Sequence, residues 1–125
     1  MTATLAPRDI VLFAELSGDR APLHTDEEFA KAAGFSGPLV HGALLTALVS
    51  KMVGMEFPGP RAVLQRVDLS FRNPCYAPCE LEVTARVRQI SEAVASVCLD
   101  IAISESTGRD IASGRTWHRI LDIVE

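Results

Sequence analysis

Apolar residues change their spacing halfway along the chain. In the first half they recur at three- and four-residue intervals, the period of a helix; from Val63 onward they alternate with polar residues, the period of a strand. Ile10, Phe13 and Ala14 share one helical face, Pro7 suits a first turn, and Asp9 sits near the positive end. The spacing predicts a short amphipathic helix over residues 7–16, ended by Ser17-Gly18-Asp19. Residues 19–24 then read as a loop stiffened by Pro22. Thr25 is placed to cap a second short helix from Asp26 to Ala33, with Glu28 at the capping-box position. Gly34, Gly37 and Pro38 break it.

From Val40 to about Met55 the chain is apolar nearly all round. Leu44, Leu45, Leu48, Val49 and Met52 repeat at helical spacing, and Ala43, Ala47 and Val53 fill other faces. Such a helix is expected to be buried on several sides. Gly54 and Pro58-Gly59-Pro60 terminate it. Beyond, Val63, Val67, Leu69 and Phe71 are expected on one strand face, with Arg66, Asp68, Ser70 and Arg72 on the other. Residues 79–90 repeat the scheme with Leu81, Val83, Ala85 and Val87, and residues 94–104 with Val97, Leu99, Ile101 and Ile103. Thr107-Gly108 marks a hairpin, and Ile111 to Ile120, with Trp117, a last strand. Long alternating strands joined by short turns make an antiparallel sheet with one covered face. The helix at 40–55 is the element suited to cover it. The architecture this implies is α+β, a curled sheet wrapped around one central helix.

Composition narrows the function classes. The chain of 125 residues suits a single domain over 1–125, and its net charge of −4 includes no basic stripe for nucleic acid. No apolar run reaches membrane-spanning length, and MTATLAPRD lacks the pattern of an export signal, so a cytoplasmic protein without a membrane partner is the expectation. Three cysteines in such a chain do not suggest a disulfide framework. Cys75 and Cys79 have no second Cys/His pair at zinc-finger spacing and read as small thiols near the core.

Two short stretches carry chemistry. Asp19 and His24 stand five positions apart around Pro22, and His41-Gly42 opens the apolar helix. A carboxylate and an imidazole can hold and activate a water. A helix N-terminus offers unpaired N–H groups to an oxygen that gains charge, and Gly42 lets a carbonyl approach closely. Together they suggest acid–base chemistry on a thioester. Each residue alone has a plainer reading: Asp19 as a turn former, His24 as a hydrogen-bonded loop histidine, His41 as a residue orienting the loop before the helix. Ser36 and Ser50 are possible ligand contacts without a nucleophile elbow around them. His118 lies in a strand far along the chain and reads as structural. Arg61, Arg66, Arg72, Arg86 and Arg88 could meet phosphates but fit solvated strand faces.

The run F-A-x-L-S-G-D-x-x-P-L-H, with G-P-L-V-H-G-A-L-L downstream, resembles the MaoC-like dehydratases, or (R)-specific enoyl-CoA hydratases, over about residues 7–120. The resemblance implies the hot-dog fold and interconversion of trans-2-enoyl and (R)-3-hydroxyacyl thioesters. Asp19 and His24 take the positions of the family's catalytic pair, and Gly42 that of its oxyanion-binding amide. His41 and Ser36 are further candidates for substrate contact. No metal or redox cofactor is implied; CoA or an acyl carrier protein's phosphopantetheine comes with the substrate. A homodimer or higher homo-oligomer is expected. Ala21 stands where the family motif has Asn, and Thr2–Leu5 is all there is for an N-terminal strand. The rival expectations are a hot-dog thioesterase, which cleaves the C–S bond, and a non-catalytic subunit or acyl-binding module that partners an active chain.

Overall fold

The computed structural model describes residues 1–122. Its elements run β1 (Thr2–Leu5), α1 (Pro7–Ser17), α2 (Pro22–Thr25), α3 (Glu27–Ala32), α4 (Gly42–Met55), β2 (Ala62–Phe71), β3 (Cys79–Ser91), β4 (Ser96–Glu105) and β5 (Asp110–Ile120). The helical first half and stranded second half follow the change in apolar period. All neighbouring strands pair antiparallel in the order β1-β3-β4-β5-β2. One face of the sheet packs on α4, whose Leu45, Val49, Met52 and Val53 are buried among Leu81, Val83, Leu99, Ile101 and Ile103. This is the expected hot-dog arrangement. No helix among the described residues is long and apolar enough to cross a membrane.

Five local expectations change. Val63 is 41% exposed and lies on the outer face, opposite Arg119, whereas Val67 and Leu69 face inward. The register slips between Leu64 and Arg66, so Gln65 is an extra residue in β2. One inserted residue reverses which parity faces the core. Ala85 and Val87 share the face of Ile101 and Leu99 but remain exposed. The short β1 pairs only with Cys79–Glu82, so beyond it β3 is the margin of the sheet.

The cap of α3 is Asp26, not Thr25. Its carboxylate accepts from the Phe29 N–H at 3.1 Å, while the Thr25 hydroxyl points back to the Arg20 and Ala21 carbonyls. Within the expected loop at 19–24, the chain from Pro22 onward closes into the one-turn helix α2. Finally, α4 is covered on fewer sides than its composition implies: Ala43, Ala47 and Ser50 are exposed on it, and Met55 is exposed at its end.

Candidate active site

The chain turns sharply into the site. Gly18 takes a left-handed conformation, φ 79°, and its N–H closes α1 on the Ala14 carbonyl at 2.9 Å. Asp19 follows, with Oδ1 accepting from the Ala21 N–H at 3.2 Å. Ala21 thus supports the loop through its main chain, although it lacks an amide side chain. Pro22 begins α2, and one turn of helix carries His24 back toward Asp19. The His24 Nε2 and Asp19 Oδ2 atoms are 3.9 Å apart, with the imidazole side chain 16% and the carboxylate 51% exposed.

Main-chain carbonyls decide how the two histidines carry their protons. His24 Nδ1 lies 2.8 Å from the Leu39 carbonyl oxygen. A carbonyl only accepts, so Nδ1 carries the proton and a neutral His24 turns a bare Nε2 lone pair toward Asp19. By the same argument His41 Nε2–H donates to the Asp19 carbonyl at 3.0 Å. The two rings stack with centroids 3.9 Å apart and planes at 22°. His41 is buried, and its Nδ1 has no partner among the described residues.

The tip of α4 completes the arrangement. His41 is its N-cap, and the His41 carbonyl accepts from the Leu44 and Leu45 N–H groups. The Gly42 and Ala43 amides precede the first helical bonds and have no acceptor within the helix. A Cβ at Gly42 would lie 2.9 Å from the tip of the Phe71 ring, so only glycine leaves the amide and this ring side by side. His24 and Gly42 line one cavity of about 350 Å³, walled mainly by Phe35, Leu39, Val40, Leu45, Phe71, Pro74 and Cys75, with Arg72 and Asn73 also on it. That volume suits a small ligand held in an apolar wall with few polar groups. His24 also lines a second cavity of about 330 Å³ beneath α1, beside Ile10, Ala14 and Arg20.

Of the residues singled out from sequence, Asp19, His24 and His41 come together, and Gly42 lines the same cavity as His24, whose lining does not include Asp19. The His41 ring lies beneath His24, outside the cavity lining. Ser36 stands apart: it is exposed, and its N–H donates to the Tyr76 hydroxyl at 3.2 Å, while its neighbour Phe35 reaches the cavity. Ser50 is on the open face of α4. His118 is enclosed in the sheet and bonded to Thr116. Arg66 covers the Trp117 ring and Arg88 faces Asp100, both on the outer face of the sheet. Arg72 alone of the five candidate arginines lines the cavity.

Asp19, His24 and His41 each place a ligand-type atom within 4.8 Å of the others. Each ring donates one N–H to a carbonyl, which leaves its other nitrogen as an acceptor. Cys75 is buried with its sulfur 3.7 Å from that of Cys79; burial first, then the neighbouring thiol, pushes the Cys75 thiol up to about 12. It therefore presents an uncharged S–H to the cavity wall.

Sequence reasoning missed the Leu39 carbonyl and the seat of Phe71 on Gly42. A main-chain acceptor leaves no trace in residue type. Phe71 reads as one more member of an alternating strand, and only its position at the end of β2 hints at a different task.

Known proteins resemble the chain both in sequence and in fold. It is 40% identical over 81 residues to an (R)-specific enoyl-CoA hydratase from Aeromonas caviae, an alignment covering 62% of this chain and 60% of that protein. It is 36% identical over 86 residues to a 3-hydroxybutyryl-CoA dehydratase from Methylorubrum extorquens, covering 69% of this chain and 55% of that one. The chain thus spans little more than half the length of these curated relatives. The structure of an (R)-hydratase from A. caviae involved in PHA biosynthesis superposes with a TM-score of 0.90 at 28% identity, covering 97% of this chain and 92% of that chain. An unliganded R-hydratase from Pseudomonas aeruginosa gives 0.87 at 27% identity, with 100% and 84% covered. The pattern of the MaoC like domain matches residues 1–107. With its sheet wrapped around one helix and its acid–imidazole loop at the helix tip, the chain belongs to the MaoC-like domain family.

Proposed function

We propose that this domain is a hydratase and dehydratase that interconverts trans-2-enoyl and (R)-3-hydroxyacyl thioesters. One observation carries the reading: a ring fixed with its lone pair toward a carboxylate shares a cavity with the Gly42 helix terminus. Asp19 and neutral His24 both present acceptors, 3.9 Å apart. Two acceptors facing each other call for a donor between them. A water about 2.8 Å from each would donate one hydrogen to each, at an angle of about 90° at its oxygen.

In hydration, that oxygen adds to C3 of the enoyl group as His24 Nε2 or Asp19 takes a proton. The C2–C3 π electrons shift toward the thioester carbonyl, and negative charge gathers on its oxygen. The Gly42 N–H and the positive end of α4 stabilise that charge where it forms. The proton taken from water then passes to C2, which restores the thioester carbonyl and returns the pair to its starting state. Dehydration is the reverse. These steps call on no metal or redox cofactor; CoA or phosphopantetheine arrives and leaves as part of the substrate.

The test is a panel of short and long enoyl-CoAs, followed by loss of the conjugated thioester's ultraviolet absorbance with a thiol reagent present. The expected result is loss of absorbance without release of thiol. Thiol release from saturated acyl-CoA would instead favour the thioesterase. Inactivity on every thioester, joined with co-purification of a second hot-dog chain, would favour the non-catalytic subunit.

The same reading includes a homodimer. Among the described residues, β2 pairs with β5 on one side only, leaving ten residues of open strand edge, and the exposed alanines of α4 are uncovered. Open edges of this length are ordinarily paired or protected. Light scattering that shows only monomer at micromolar concentration would contradict the dimer.

A further inference from the structure

Leu39, Val40, His41 and Gly42 form a strap that carries three parts of the site. The strap is itself fixed at two points. Leu39 N–H donates to the Leu23 carbonyl at 3.0 Å, and Val40 N–H to the Cys75 carbonyl at 2.8 Å. From it, the Leu39 carbonyl holds the His24 ring, Gly42 lines the cavity, and the His41 ring reaches under the acidic loop.

Asp19 needs such support. Its carboxylate is about half exposed, its N–H donates to Ser17 Oγ at 3.1 Å, and its Oδ1 accepts from Ala21. Those partners lie within two residues of it along the chain. Among the described residues, the bond from His41 Nε2–H is the hydrogen bond that ties Asp19 to another part of the fold. The His41 ring is 1% exposed, with Phe13 edge-on at 4.9 Å and His24 stacked on it.

We propose that His41 is a positioning residue: by donating its buried Nε2–H to the Asp19 main-chain carbonyl while its face supports His24, it sets the acid–imidazole pair at a fixed place relative to the Gly42 amide. This rests on the catalytic reading of Asp19 and His24. Histidine suits the task through a flat face and a donor at the far edge of the ring. Phenylalanine would stack without donating, and lysine or arginine would bury a charge. Glutamine places its amide nitrogen where Nε2 lies, whereas the shorter asparagine places its own near Nδ1.

That difference in reach supplies the test. His41→Gln and His41→Asn are purified beside the wild type, and crotonyl-CoA hydration and thermal unfolding are measured for each. His41→Gln is expected to keep kcat within about threefold of wild type. His41→Asn is expected to lose kcat about 100-fold, as a misplacement of about 1 Å can do, with KM little changed and the shape of the pH profile kept. Equal kcat for the two variants, or a loss carried by KM, would overturn the proposal. A second measurement uses the wild type and needs no turnover: imidazole ¹⁵N resonances at mildly alkaline pH are expected to place the His41 proton on Nε2. A proton on Nδ1 would overturn the proposal, and this result decides it if both variants fail to fold. An inactive wild type would retire the hydratase reading without altering what the resonances say about the bond.

Discussion

His24 and His118 are both held by the fold, and the contrast between their surroundings separates a reacting imidazole from a structural one. His118 is on the inner face of β5, fully buried, with Nε2 2.6 Å from the Thr116 hydroxyl and no partner for Nδ1 among the described residues. It faces aliphatic neighbours across the sheet, Val97 on one side and Leu64 on the other, and burial holds it below its ordinary titration range. His24 is partly exposed, with one nitrogen fixed by a carbonyl and the other turned toward a carboxylate at the edge of a cavity. Burial and a hydrogen bond are common to both rings. What distinguishes His24 is a lone pair left available, an acidic neighbour that can share a water with it, and room for a reactant.

The sharpest way to break this contrast is to alter the two neighbourhoods in turn. Asp19→Asn and His24→Ala are each expected to lower the rate of crotonyl-CoA hydration by about 10³-fold, within the range for loss of a general acid–base group. Thermal unfolding of Asp19→Asn should change little, because the carboxylate is half exposed, whereas His24→Ala should lower the unfolding temperature modestly through loss of the Leu39 bond and the stack on His41. His118→Gln should do the opposite, lowering the unfolding temperature while leaving kcat within a few-fold of wild type. Loss of hydration in the His118 variant at full stability would erase the distinction.

A smaller effect is expected at the helix tip. In Gly42→Ala the new methyl group meets the Phe71 ring at 2.9 Å. Phe71 is 52% exposed, so its ring can swing away at little cost to stability, but it would then intrude on the cavity. A fall in kcat/KM of roughly 10- to 100-fold with an almost unchanged unfolding temperature is expected, and steady-state kinetics with calorimetry will show it. An unchanged kcat/KM would mean that the thioester does not approach this amide.

The gentlest test is pH. Burial favours neutral His118 in the folded protein, so the unfolded chain binds a proton more readily near the ordinary value of 6.5. The stability linked to this group is full above that value and is lost as pH falls below it, with a slope of at most about 1.4 kcal/mol per pH unit for one proton. Denaturant unfolding at a series of pH values should show His118→Gln losing less stability than wild type between neutral and mildly acidic pH. Parallel curves would contradict this.

Much of the fold is legible in the chain because period and burial are directly linked. The helix at 42–55 and the alternation through Val97, Leu99, Ile101 and Ile103 leave few other ways to hide apolar surface. The bulge at Gln65 was not legible, since an extra residue changes facing without changing composition. The short strand at Thr2–Leu5 was legible, but its pairing opposite Cys79–Glu82, which leaves Ala85 and Val87 exposed although their face is right, was not. In the site, Asp19, His24 and the His41-Gly42 pair could be found because their residue types and spacing are themselves the signal. His41 reads from sequence as an orienting residue, but its partner could not be found there: it is a main-chain oxygen 22 positions away, which any residue at position 19 would supply.

The most direct measurement is a crystal structure of Asp19→Asn with crotonyl-CoA bound. The expected complex has the thioester oxygen about 2.9 Å from the Gly42 nitrogen, with C2 and C3 against the His24 ring and the side chain at position 19. A thioester bound with its carbonyl away from the tip of α4, while its reactive carbons lie out of reach of His24, would contradict the account.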